Sequence, residues 1–207
     1  MIVYNEEPKE ELEEEKTEEE GLPFGIADEA EPLVGLVGEI TEASVQQLAL
    51  MFLSFNGGGI LRPAEPEEDE EDIEFFISSS GGQVSEMFTI YDLMRLVQKR
   101  RDIATFGYGK VASAAVLLLA AGTKGKRYIA KNARLMIHHC SGAIGGTVPT
   151  VRSSFQEFSK VEEMMVEALA ECTSMSISEI YNILSRNTDE YFSAEEALEM
   201  GIVDKII

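Results

Sequence analysis

The sequence contains no tryptophan, only two cysteines and only two histidines in 207 residues. Two thiols allow at most one disulfide, so a disulfide-stabilised scaffold is excluded, and we expect Cys140 and Cys172 to be free, buried thiols. Any Ser-His chemistry can use only His138 or His139 as its base. No metal or cofactor is predicted, because the adjacent residues 138–140 would point in diverging directions and could not converge on an ion.

Basic residues are also scarce, with 17 Lys and Arg against 38 Asp and Glu, giving a net charge of −21. Most of this charge lies in two segments: residues 1–20 carry ten Glu and two Lys, and residues 65–74 carry eight acids and no base. Binding to a nucleic-acid backbone requires clustered Lys and Arg, which the sequence does not have. A nucleic-acid partner is therefore not predicted.

Long apolar runs are absent as well. The longest, residues 111–121, is well short of the roughly 20 residues that span a membrane. The first 20 residues show no basic segment followed by an apolar one, as a secretory signal would. We therefore expect a soluble cytoplasmic protein with no membrane partner.

The composition predicts one folded domain with an acidic extension. A hydrophobic content of 44% in 207 residues is enough for a single core. Residues 1–31 are expected to form an acidic, mobile N-terminal segment, since so few apolar side chains cannot offset the entropy of ordering. Residues 32–207 are expected to form the domain, with an acidic surface loop at 56–72.

Apolar patterns along this domain alternate between strand and helix, which predicts an α/β fold. Strands are predicted at 32–40, 73–78, 102–109, 127–130, 134–140 and 202–207. Helices are predicted at 41–55, 81–100, 111–121, 147–173 and 177–188, and a short helix that Ser193 caps is predicted within residues 190–201. Thr41 is expected to cap the first helix and Ser193, with Glu196, the last.

One hydroxyl, Ser113, lies in the apolar run "GKVASAAVLLLAAG". A serine in such a helix ordinarily bonds back to its own turn. Here Gly107 and Gly109 predict a sharp strand-to-helix turn just before it. The N–H of Ala114, in the first helical turn, is then suited to hold an oxyanion.

The base for such a serine cannot be chosen from periodicity. His138 and His139 are adjacent in a predicted strand, so their side chains point to opposite faces, and both faces are apolar. A second source of backbone N–H donors is the double glycine in "ISSSGGQVSEM", residues 77–87. This turn lacks the glycine, lysine and hydroxyl spacing of a phosphate loop, so nucleotide binding is not predicted.

Three stretches, "FFISSSGGQVSEMFTIYDLM", "GKVASAAVLLLAAGTKGKR" and "NARLMIHHC", together resemble the proteolytic subunit of the Clp protease, a serine peptidase family. The similarity extends from about Leu33 to Ile207 and includes the ending "FSAEEALEMGIVDKII". It implies a crotonase-like α/β fold of repeated strand-strand-helix units with a long protruding helix.

The resemblance also implies a catalytic triad. Ser113 corresponds to the nucleophile, and His138, the first histidine after Met-Ile, corresponds to the base. Counting back four residues from Ser193 identifies Asp189 as the acid. Counting forward from the preceding helix reaches Asn187 instead, and we take Asp189 because only it supplies a carboxylate.

The family's oxyanion donors correspond to the N–H groups of Gly82 and Ala114. The sequence departs from the family pattern at several places. Ser80 replaces a proline, Ala114 a methionine and Ala115 a glycine, and these changes are expected to reshape the specificity pocket. Thr188 replaces an arginine that forms ion pairs between stacked rings.

The family further implies a homo-oligomeric ring, heptameric and stacked in pairs, assembled through the helix near residues 150–172. Its partners would be an AAA+ unfoldase, docking near Phe76, and unfolded polypeptide substrates. Three alternatives remain open at this point: a noncatalytic ring subunit if Asp189 is displaced, a virus-type capsid maturation protease, and an acyl-CoA enzyme of the same architecture.

Overall fold

Strands and helices alternate along the chain in its computed structural model, which describes residues 33–56, 71–186 and 188–207. The α/β prediction is confirmed. The predicted N-terminal segment 1–31, most of the acidic loop and Asn187 lie outside the described residues. The strands are β1 (Leu33–Ile40), β2 (Ile73–Gly82), β3 (Ile103–Ala112), β4 (Arg127–Ile129), β5 (Arg134–Ile137), β6 (Glu190–Phe192) and β7 (Lys205–Ile206). The helices are α1 (Glu42–Phe55), α2 (Val84–Val97), α3 (Ala114–Ala120), α4 (Val148–Cys172), α5 (Ile177–Leu184) and α6 (Ala194–Glu199).

The main sheet is parallel, with strand order β1-β2-β3-β4-β7. Connections between parallel neighbours need crossovers, and α1, α2 and α3 supply them between the first strands. In the described part of the chain, no helix is long and apolar enough to cross a membrane.

Strand β3 is the element that positions the site, because it pairs with a different neighbour at each end. Its first half, Thr105–Gly107, pairs with β4, and its last residues, Lys110–Ala112, pair with β5. The register against β2 shifts between these halves, and Gly109 has a φ of +59° there. The strand therefore bends away from the main sheet and continues alongside β5, which in turn pairs antiparallel with β6.

This arrangement corrects the predicted boundaries around the apolar run. Val111 and Ala112 were expected to be helical, but they are the last strand residues and pair with β5. Gly107 and Gly109 lie within β3, so they do not form the turn into the helix. All seven residues of α3 are buried, and a helix buried on every side has no periodicity from which its start can be predicted.

Helix starts with side-chain caps match the sequence prediction. Thr41 caps α1 and Ser193 caps α6, each accepting a hydrogen bond from the backbone N–H three residues later. Helix α4 is 25 residues long and is buried only toward its C-terminal end. Its N-terminal half carries exposed apolar side chains, including Val148 and Phe155.

Candidate active site

The strand register brings the three predicted triad positions to one place. Ala112, at the end of β3, pairs with Met136 of β5, and the Ser113 N–H donates to the Met136 carbonyl at 2.8 Å. His138 directly follows β5. The last residue of β5, Ile137, pairs with the first residue of β6, so Asp189, which precedes β6, lies beside His138.

Ser113 occupies the junction between β3 and α3 in an unusual backbone conformation. Its φ of 55° and ψ of −129° make it the one non-glycine residue with positive φ in the described part of the chain. Such a conformation is strained for a residue with a Cβ, at about 1–3 kcal/mol. The turn exposes the side chain between strand and helix, as in the nucleophile elbow of α/β hydrolases.

The hydroxyl of Ser113 points to His138. The distance from Ser113 Oγ to His138 Nε2 is 2.8 Å, and the hydroxyl makes no capping bond to α3. The ordinary alternative, a hydroxyl satisfied within its own helix, is therefore wrong. His139 faces away, with Nδ1 2.8 Å from Glu162 Oε1 of α4. Both histidines lie just past the end of β5 rather than within the predicted strand, and their side chains still diverge.

Asp189 lies on the other side of the His138 ring. Its Oδ1 is 3.6 Å from His138 Nδ1, which is beyond hydrogen-bond length, and its side chain is 52% exposed. The neighbouring Glu190 accepts hydrogen bonds from the Thr188 hydroxyl at 2.9 Å and the Arg186 guanidinium at 2.7 Å, and these bonds hold the backbone on either side of Asp189. These two donors hold the pKa of Glu190 below its ordinary value.

The two predicted oxyanion donors flank the serine. Ala114 is the first residue of α3, where a backbone N–H has no acceptor within the helix. Gly82 lines the same cleft as Ser113 and His138. The preceding residue, Gly81, packs against the serine turn: a Cβ there would lie 2.6 Å from the carbonyl oxygen of Ala112 and 2.7 Å from the Cβ of Ser113.

The cleft over Ser113 has a volume of about 900 Å³. Ser113, His138 and Gly82 meet at its surface, and residues from α4 form its opposite wall. Two carboxylates, Glu39 and Glu157, line it, and its described lining has no lysine or arginine. Apolar surface comes from Ile144, Phe158 and Val161. The cleft therefore combines polar and apolar lining around Ser113.

Neither cysteine adds to the chemistry of the site. Both are free thiols, with Cys172 buried and Cys140 partly buried. Burial raises the pKa of each, and the charge of Glu162 raises that of Cys140 further, so both remain neutral near pH 7. Within the described ranges, no group of three His, Cys, Asp or Glu side chains is placed to hold a metal ion.

Two residues at the site were not found by sequence reasoning. Gly81 belongs to the double glycine, but the sequence assigned a role only to Gly82. Its contact with the serine turn crosses from β2 to the end of β3, so local pattern gives no signal for it. Glu162 contacts the residues after His138 from a helix more than twenty residues away, and its place in a Glu-rich helix resembles an ordinary solvated position.

Comparison with known proteins identifies one family for this chain. The family model described as Clp protease matches residues 60–207. The chain is 40% identical over 141 residues to ATP-dependent Clp protease proteolytic subunit 2 of Bifidobacterium longum, covering 68% of this chain and 66% of that protein. It is 38% identical to subunit 2 of Rhodococcus jostii, covering 68% and 70%, and 39% identical over 140 residues to subunit 1 of Leifsonia xyli, covering 68% and 69%.

These matches confirm the resemblance seen in the sequence motifs. They do not favour a capsid maturation protease or an acyl-CoA enzyme, since these three relatives are each named as Clp protease proteolytic subunits. With a family model that matches most of its length, the chain belongs to the Clp protease family.

Proposed function

We propose that the chain is a Clp-type serine endopeptidase subunit in which Ser113, His138 and Asp189 form the catalytic triad. The observation that carries the proposal is the 2.8 Å contact between Ser113 Oγ and His138 Nε2. A serine hydroxyl becomes an effective nucleophile when an adjacent base accepts its proton, and this distance is within the range for that transfer. The names of the relatives support the same activity.

In the first step, Ser113 Oγ attacks the peptide carbonyl carbon and His138 Nε2 takes the hydroxyl proton. The carbonyl oxygen becomes an oxyanion held by the N–H groups of Gly82 and Ala114. His138 then gives the proton to the leaving amine as the C–N bond breaks, leaving an acyl ester on Ser113.

In the second step, water attacks the ester carbonyl while His138 accepts one of its protons. The proton returns to Ser113 Oγ as the ester bond breaks, which releases the carboxylic acid product. For these transfers Nε2 must face the serine, so the remaining ring proton lies on Nδ1 toward Asp189. The 3.6 Å separation in the free protein must close by a few tenths of an ångström for Asp189 to accept this hydrogen bond.

We further propose that the subunit acts in the cytoplasm as a homo-oligomeric, heptameric ring, able to stack into a double ring. An AAA+ unfoldase would deliver unfolded polypeptides to it. The names of the relatives, which describe subunits of an ATP-dependent protease, support this. A second support is apolar surface: Phe76 and Tyr108 stack with ring centroids 5.1 Å apart, and both rings are only partly buried, so aromatic surface is open to a partner there.

Labelling with a fluorophosphonate tests the nucleophile. This reagent phosphonylates activated serines, so we expect the full chain to be modified at Ser113 and the Ser113→Ala variant not to be modified. Hydrolysis of a fluorogenic peptide should fall by more than about 10⁴-fold in Ser113→Ala, because the covalent route is lost. Mass spectrometry of the labelled peptide identifies the modified residue.

The matched control is Ser159→Ala, which removes an exposed hydroxyl of α4 that donates to the Phe155 carbonyl. We expect this variant to retain wild-type labelling and turnover. Equal turnover in the wild type and Ser113→Ala would contradict the proposal. Absence of labelling in a folded wild type would instead favour the alternative of a noncatalytic ring subunit.

A further inference from the structure

The backbone after His138 is anchored to α4 by a single carboxylate. Glu162 Oε1 lies 2.8 Å from Nδ1 of His139 and accepts a hydrogen bond from the Cys140 N–H at 3.3 Å. Both partners follow His138 directly in the sequence. Glu162 therefore fixes the chain on one side of His138, and strand β5 fixes it on the other.

Apart from its 2.8 Å contact with Ser113 Oγ, which is the contact to be positioned, the His138 ring has only weak restraints. The contact to Asp189 is 3.6 Å long and that carboxylate is 52% exposed. A small cavity of about 20 Å³, lined by His138, Cys140 and Glu162 together with apolar side chains of α4 and α5, lies beside the ring. Packing thus leaves a gap on that side, so the ring depends on its backbone for its orientation.

The Glu162 contacts are suited to hold that backbone. A carboxylate that accepts from an imidazole and a backbone N–H makes charge-assisted bonds, which are stronger than those between neutral groups. The side chains of His139 and Glu162 are 38% and 24% exposed, so the pair is only partly open to water. Cys140 contributes its N–H and not its thiol, which burial keeps neutral.

We propose that Glu162 is a positioning residue for the hydrolytic reaction: through His139 and the Cys140 N–H it holds His138 at the distance from Ser113 that proton transfer needs. This inference rests on the proposed function. Glu162 touches neither the serine nor the bound peptide in this role. Its loss should therefore slow the chemical step and leave substrate binding nearly unchanged.

The test compares Glu162→Ala and Glu162→Gln with Glu163→Ala in the full chain. The alanine variant loses the acceptor, and we expect kcat to fall about 10- to 100-fold with KM changed less than about twofold, because a displacement near 1 Å can reduce a rate by that much. Glu162→Gln keeps an acceptor oxygen and should recover most of the activity. Glu163, the neighbouring residue, pairs with Lys160 on the exposed side of the helix, and Glu163→Ala should behave as wild type.

Fluorophosphonate labelling of Ser113 gives a second readout, since it requires an activated serine but no peptide binding. Its rate should fall in Glu162→Ala in proportion to kcat. His139→Ala should lower both rates part of the way, and the double variant His139→Ala/Glu162→Ala should be no slower than Glu162→Ala, because the two residues act in one network.

The outcomes separate the two proposals. A wild type that is not labelled at Ser113 contradicts the proposed function itself. A wild type that is labelled, together with a Glu162→Ala variant of unchanged kcat, overturns only the role of Glu162. Equal losses in Glu162→Ala and Glu163→Ala also overturn it, because they indicate a general effect on α4. Should Glu162→Ala not fold, the kcat and labelling rate of His139→Ala decide, and wild-type values in that variant contradict the inference.

Discussion

Gly81 shows how one missing side chain permits the active-site geometry. Its φ of +83° is in the region that favours glycine, and its Cα faces the serine turn so closely that a Cβ would overlap backbone atoms of Ala112 and lie 3.1 Å from the Ala114 nitrogen. The neighbouring Gly82 is confined by Ile40 of β1 instead. The two glycines therefore permit two separate close approaches: Gly81 to the serine turn and Gly82 to Ile40 of β1.

We expect Gly81→Ala to impair hydrolysis strongly. The added methyl group must push the serine turn away, which moves Ser113 Oγ relative to His138 and the oxyanion donors. A shift of about 1 Å predicts a loss of roughly 100-fold in kcat. Peptide turnover and the fluorophosphonate labelling rate measure the effect.

Gly38→Ala is the matched control. Gly38 also has a positive φ, +93°, but a Cβ there would meet nothing within 4 Å. The two variants therefore share the backbone strain and differ in the collision. Similar activity losses in both would show that strain in the strands, and not contact with the serine turn, explains the result.

The sequence indicated which residue types could carry out the proposed chemistry better than it indicated where their side chains lie. Ser113 and His138 could be proposed because the chain has so few histidines and because their flanking motifs resemble a known family. Sequence could not show that His139 turns toward α4, since both faces of the predicted strand looked alike. The choice between Asp189 and Asn187 came from counting in a loop of variable length, which periodicity does not constrain.

The buried arginine Arg127 of β4 joins the end of α4 to Asp204, the residue before β7. Its guanidinium donates to both carboxylate oxygens of Asp204, at 2.8 and 2.6 Å, and to the carbonyl of Cys172 at the end of α4, at 2.6 Å. The side chain is 5% exposed. Burial alone would raise the pKa of Asp204, but hydrogen bonds from Arg127 and Gly125 and the charge of Arg127 outweigh it and lower that pKa.

This pair predicts a defined dependence of stability on pH. Because the folded-state pKa of Asp204 is lowered, its contribution to the free energy of unfolding is complete above about pH 5 and is lost as the pH falls below about 4. We expect Asp204→Asn to lower the free energy of unfolding by about 3 kcal/mol at pH 7, since it leaves Arg127 charged and buried. Chemical denaturation at pH 7 and at about pH 3, where the unfolded-state carboxyl is mostly protonated, measures both effects, and the difference between variant and wild type should shrink at the lower pH.

Asp102→Asn is the control for this prediction. Asp102 pairs with Lys126 at 2.7 Å, but both side chains are more than a third exposed, at 45% and 34%. The change in the free energy of unfolding should be below about 1 kcal/mol. A loss as large as that of Asp204→Asn would contradict the distinction between buried and exposed pairs.

Element starts with strong local signals were predictable, as were most strands, but boundaries set by hydrogen bonds to distant residues were not. Thr41 and Ser193 mark helix starts in the sequence because capping depends on residues three positions apart. The end of β3 depends on hydrogen bonds to β5, more than twenty residues away, so the sequence placed the helix start at Val111, three residues before Ala114.

At the scale of the whole molecule, the N-terminal half of α4 presents an exposed apolar surface. Val148 and Phe155 are 74% and 62% exposed, and with Ile144 and Val151 they surround a hollow of about 520 Å³. Contiguous apolar surface of this kind is typical of protein interfaces. It supports the proposed assembly through α4.

We expect Phe155→Glu to weaken that assembly. A carboxylate placed in an apolar interface loses its hydration without gaining a partner, which disfavours association. Size-exclusion chromatography and analytical ultracentrifugation should therefore give a lower mass for the variant than for the wild type. Gln156→Glu adds the same charge at the next position of the same helix and should keep the wild-type mass. An unchanged mass for Phe155→Glu would remove this surface from the proposed interface.

The positive φ of Ser113 has a consequence for how the sequence can evolve. Glycine adopts this conformation without strain, so Ser113→Gly relieves about 1–3 kcal/mol of backbone strain while it removes the proposed nucleophile. Selection for folding alone therefore favours the inactive residue at this position. If Ser113 is the nucleophile as proposed, a lineage that no longer needs hydrolysis should accumulate glycine at this position, and selection for the reaction explains a serine in this backbone.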